Sequence, residues 1–86
     1  MPTISTFLGI VIRMYYDDHA PPHFHAHYGD HAAIYRIDSL DVTEGSLPRR
    51  VHALVLEWAS VNREALREDW ELAAAHAPLR PIAPLE

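Results

Sequence analysis

The chain has 86 residues, no cysteine, and 12 acidic against 7 basic side chains, a formal charge of −5 at pH 7. A length below the commonest domain size predicts a single domain over residues 1–86 with a small core. The missing cysteines exclude disulfides, thiolate zinc sites and thiol nucleophiles, and the acidic balance argues against broad, sequence-independent binding to nucleic acid.

Hydrophobic content of 49% suits a folded globule. The start, Met1-Pro2-Thr3-Ile4-Ser5, lacks the basic opening and apolar run of a signal peptide. The apolar run Val51 to Ala59 contains Glu57 and falls short of the ~20 residues of a membrane span. A cytoplasmic protein with no membrane partner is the expectation.

In chain order, the branched and aromatic run 9–16 predicts a strand, broken by Asp17-Asp18-His19-Ala20-Pro21-Pro22 because two prolines cannot both sit in a ladder. Residues 23–28 and 31–38 read as two strands joined at Gly29-Asp30, where glycine supplies the positive φ of a two-residue turn. A short fourth strand over 40–44 would close at Gly45. From Pro48 the period changes: Val51, Leu54, Val55 and Trp58 recur at helical spacing, and Leu66, Trp70 and Ala73 extend the stripe. The spacing predicts helix over 48–75, N-capped by Ser46, with a break near Ser60-Val61-Asn62 because serine and asparagine favour caps. Trp58 and Trp70 read as anchors of this helix on the sheet. The proline-rich tail 77–86 should be extended and lay Leu79, Ile82 and Leu85 on the body or on a partner. The fold expectation is therefore α+β: a small antiparallel sheet of three or four strands, covered on one face by a long or broken C-terminal helix.

Five of the seven histidines lie between His19 and His31. If Gly29-Asp30 is the loop, Tyr28 faces His31, Phe24 faces Tyr35 and Ala26 faces Ala33, giving an apolar face with Ile37. On the other face His23 opposes Arg36, His25 opposes Ile34 and His27 opposes Ala32. Arg13 and Tyr15 join that face if Ile10, Ile12, Met14 and Tyr16 turn to the core. Three readings of the cluster stay open. Histidines two apart on a strand can converge on a divalent transition metal, with His19 or Asp17 arriving from the loop, so His19, His23 and His25 are candidate ligands. Alternatively His23 and His25 act as acid and base on a phosphodiester while Arg13 or Arg36 neutralises charge, as in a ribonuclease. The third reading is a protein interface that catalyses nothing.

The segments Ile12-Arg13-Met14-Tyr15-Tyr16, His19-Ala20-Pro21-Pro22-His23-Phe24-His25, Tyr28-Gly29, Leu47-Pro48-Arg49-Arg50, Leu56-Glu57-Trp58-Ala59 and Asp69-Trp70, with Pro2-Thr3-Ile4-Ser5, resemble a small bacterial family, domain of unknown function 4160. The resemblance runs through almost the whole chain. It supports Arg13, His19, His23 and His25 as pattern positions and leaves His27 at a tolerant one. Asn62 stands where the family would place histidine, and His31-Ala32 replaces its aromatic-basic pair. The resemblance implies a partner from a second family, domain of unknown function 2442, encoded alongside. That neighbourhood implies one component of a toxin–antitoxin-like pair acting through protein–protein contact by the tail or the uncovered sheet face, with a homo-oligomer as a further assembly. A ribonuclease-like toxin acting on RNA through His23, His25 and Arg13, and a histidine-based metal module, are the alternatives.

Overall fold

A computed structural model describes residues 2–86. Five strands, β1 (Thr3–Phe7), β2 (Ile10–Arg13), β3 (His23–Tyr28), β4 (His31–Arg36) and β5 (Val42–Ser46), precede two helices, α1 (Arg49–Val61) and α2 (Arg63–Ala74). The strands form one antiparallel meander in the order β1-β2-β3-β4-β5. The α+β class stands, but the sheet has one strand more than the upper expectation. The added strand is β1. Its alternation is hidden by a bulge between Thr3 and Ser5, which leaves Ile4 and Ser5 buried in succession. Its turn is hidden too: Leu8 and Gly9 both take positive φ, 50° and 81°, and leucine is no turn residue by type.

Other boundaries also move. The strand expected over 9–16 ends at Arg13, and the one over 31–38 ends at Arg36. The last strand lies at 42–46, and Gly45 sits within it where it had been expected to close it. Ser46 therefore belongs to β5. The residue before α1 is Pro48, which makes no side-chain cap, and its carbonyl accepts from the His52 amide at 2.9 Å. The helical half is broken, as its caps suggest, at Asn62, whose side-chain amide donates to the Trp58 carbonyl at 2.8 Å. No helix among the described residues is long and apolar enough to cross a membrane.

The β3–β4 register follows from the Gly29-Asp30 turn as read: His23 opposes Arg36, Phe24 opposes Tyr35, and His25 opposes Ile34. One face of the sheet carries Ile4, Phe7, Ile10, Ile12, Phe24, Ala26, Ala33 and Tyr35 into a core completed by Val51, Val55, Trp58, Ala59 and Leu66 from the helices. Trp58 is its centre. Its ring lies 5.3 Å from Phe7 and edge-on to Phe24 at 5.9 Å. Its buried indole N–H finds an acceptor in the Ala83 carbonyl at 2.9 Å. The tail thus lies on the body, with Ile82 buried and its amide donating to the Ile4 carbonyl at 2.7 Å. The Arg80 amide is held by Asp69 Oδ1 at 2.9 Å. These contacts cover part of the β1 edge of the sheet, whereas β5 is exposed along its whole length.

Candidate functional site

Because side chains alternate across a strand, sending Phe24 and Ala26 to the core sends His23, His25 and His27 to the opposite face, which Trp70 of α2 reaches at His23. The β2–β3 register sets Arg13 directly across from His25, and Tyr15 meets the His25 ring edge-on at 4.5 Å. Tyr16, expected in the core, is half-buried and stacks on His76.

The loop between β2 and β3 completes a small polar cluster. Asp18 Oδ2 lies 2.8 Å from His23 Nε2 and 3.2 Å from His25 Nε2. One potential ligand atom from each of Asp18, His23 and His25 falls within 4.8 Å of the others. His23 is the buried member, 8% exposed, walled by the Trp70 ring at 5.1 Å, with its Nδ1 2.7 Å from the Pro21 carbonyl oxygen. Burial acts to raise the Asp18 pKa. Hydrogen bonds with His25 and His23, and the charge of His23, outweigh it, and the carboxyl titrates below its usual value.

The structure brings His23 and His25 together and sets Arg13 beside them. It leaves the His19 side chain 93% exposed, with Nδ1 3.7 Å from the other oxygen of Asp18. Asp17 turns away to His76, at 3.3 Å. Asp18 is the member that sequence reasoning missed. Two adjacent aspartates enter the loop, and only one can face the histidines, a choice made by the path of the loop and not by residue type. His27 stands one step along the same face. Burial first, then the nearby charges of Arg13 and His25, lower its pKa, which favours the neutral ring.

Three buried nitrogens on this face have no hydrogen-bond partner among the described residues: Arg13 Nε, His27 Nε2 and Arg36 Nε. Neither Arg13 nor Arg36 forms an ion pair with a carboxylate among the described residues. A hollow of about 150 Å³ runs beside His23, lined by His19, Arg36 and Glu44 among others. A second lies against His25, Ile34 and Glu44. The chemical inventory is thus two imidazoles and a carboxylate that could hold a cation, flanked by two guanidinium groups with donors to spare.

A family model described as a domain of unknown function (DUF4160) matches residues 9–71. No curated protein matches the chain, and no solved structure does. The matched span starts at the β1–β2 turn, takes in Arg13, Asp18, His23 and His25, and ends in α2. It covers well over half of the 86 residues, and the chain belongs to the family of domain of unknown function 4160.

Proposed function

We propose that the chain is a small metal-binding module in which Asp18, His23 and His25 hold a divalent transition metal on the open face of the sheet. The observation that carries this reading is the double contact of His23. A carbonyl oxygen can only accept, so the 2.7 Å contact to Pro21 places the ring proton on Nδ1. Held neutral, the ring would present the lone pair of Nε2 to a carboxylate oxygen 2.8 Å away, acceptor against acceptor, whereas a charged ring donates to it and lowers the Asp18 pKa as described above. A cation between Nε2 and Asp18 removes that conflict. Donation of the second ring N–H to a backbone carbonyl is also the arrangement that orients metal-binding histidines. Two imidazoles and one carboxylate suit the first-row metals and leave coordination positions open. A second ring proton on His23 would resolve the conflict without metal, and elemental analysis separates the two. Protein purified without a histidine tag and given equimolar Zn²⁺, Mn²⁺ or Fe²⁺ should retain one ion per chain through gel filtration, and His25→Ala should not. Wild-type protein that emerges free of all three would overturn the reading.

A second reading concerns partners: one half of a bacterial, cytoplasmic, toxin–antitoxin-like pair that holds a small protein of the domain of unknown function 2442 family. What supports it is the exposed β5 edge, together with the partner implied by the resemblance. The tail is a poorer candidate for the contact, since Ile82 and the Ala83 carbonyl are already used on the body. Co-expression with such a partner should yield a complex that a charged substitution at Val42 on β5 weakens. Two proteins that elute separately, with or without self-association of this chain, would count against it.

A further inference from the structure

We infer that the open face is a phosphodiester-binding surface, with Arg13 and Arg36 on successive phosphates and the Asp18-His23-His25 group between them. The inference rests on the metal reading for its middle contact, and on the arginines for the rest.

Arg13 and Arg36 stand on β2 and β4, either side of the histidine strand β3. Strands two apart are separated by roughly 10 Å, a spacing at which arginines on both can serve neighbouring phosphates of an extended chain. Both guanidinium groups have a buried Nε without a partner, and neither is neutralised by a carboxylate among the described residues. In a chain of net charge −5, Arg13 and Arg36 are set apart by sharing one sheet face, each with a buried Nε that has no partner among the described residues. Guanidinium forks match phosphate oxygens in geometry and charge. The open coordination positions of a metal held by the triad would accept a further phosphate oxygen, as divalent cations do in phosphoryl-transfer sites.

The same face has surfaces for bases. The His19 ring is 93% exposed at the rim, and Tyr15 lies edge-on to His25. Aromatic rings at such positions stack on unpaired bases and not on the edges of a closed duplex, so the ligand is single-stranded. Glu44, which lines both hollows beside the histidines, sets the limit of the anionic track on the β5 side. A duplex, which carries a denser and wider charge, should be repelled by the acidic remainder of the molecule.

Fluorescence anisotropy with labelled single-stranded hexanucleotides, one RNA and one DNA, tests this on the full chain, with metal content measured in the same samples. Binding is expected to weaken with salt. Arg13→Ala and Arg36→Ala should each reduce the salt slope by about 1, while Arg67→Ala, whose charge is already paired with Asp38, leaves it unchanged. The RNA and DNA arms differ only if the 2′-hydroxyl is read, and binding of either supports the inference. Metal-loaded protein that binds neither strand, or that loses affinity equally with Arg67→Ala, overturns it and leaves the metal reading standing. Protein that takes up no metal overturns the metal reading whatever the oligonucleotide result, and takes the middle contact with it.

Discussion

The two faces of the sheet are made from alternate residues of the same strands, yet they treat polar groups in opposite ways. On the covered side several buried polar atoms find partners, although Asp69 Oδ2 has none among the described residues. The Tyr35 hydroxyl shares a hydrogen bond with His52 Nδ1 at 2.7 Å, and burial pushes its pKa up to about 12. Trp58 Nε1 is satisfied by the tail, and Asp69 Oδ1 by the Arg80 amide. On the open face, buried nitrogens of Arg13, His27 and Arg36 have none, and His23 meets an acceptor at each end. Buried polar groups left unpaired cost free energy in a small domain with little to spare. Three of the five such atoms among the described residues share the open face, and all three are nitrogens of basic side chains, which suits a surface that receives something.

The largest effect should come from emptying the covered face. Trp58→Ala removes a fully buried ring that touches Phe7 and Phe24 and frees the tail carbonyl of Ala83. A loss of about 3–5 kcal/mol is expected, enough to unfold most of a domain this size at ambient temperature, as urea unfolding followed by circular dichroism will record. If the midpoint barely moves, the core assignment is wrong.

Gly45→Ala should act next. Gly45 has φ +74°, and a Cβ there would collide with the Ala32 carbonyl oxygen across the β4–β5 pair. About 1–3 kcal/mol is expected, the usual cost of strained backbone. Hydrogen exchange should show amides of β5 opening while those of β3 stay protected. Uniform loss across the sheet would mean that β5 is integral to the core.

The smallest effect is a pH dependence on the covered side. Asp69 is 1% exposed. Burial raises its pKa, helped by Glu68 and opposed by the Arg80 amide hydrogen bond and the Arg80 charge. A folded pKa above the unfolded value means that the protonated carboxyl favours folding. This stability is complete below the unfolded pKa near 3.8 and lost as pH rises through the folded value. Asp69→Asn keeps an oxygen for Arg80 and cannot ionise. Its thermal midpoint should therefore gain on wild type as pH rises from about 4 to 7, and a constant difference would show that Asp69 is not the titrating group.

The hairpin was legible because its signal is local. Alternation of period two and a glycine turn determine both register and face, which is why His25 lies opposite Ile34 and shares a face with Arg13 as read. The helix break was legible for a similar reason, asparagine at 62 being a better cap than interior residue. What escaped depends on neighbours distant in sequence or on exceptions to type. β1 carries a bulge and turns through a leucine at positive φ. Asp18 differs from Asp17 only in where the loop aims it. The Pro21 carbonyl that fixes the His23 ring is backbone, invisible in a residue pattern.

The central claim, that the open face is a cation site framed by a carbonyl-oriented histidine, can be tested on the ring nitrogens themselves. Nitrogen-15 spectra of the His23 and His25 side chains, recorded before and after one equivalent of Zn²⁺ on untagged protein, report protonation and ligation separately. The account predicts that His23 Nδ1 keeps its proton throughout while Nε2 of both rings moves to a metal-bound shift. Spectra that do not change on adding the metal, or a His23 that binds through Nδ1, would contradict it.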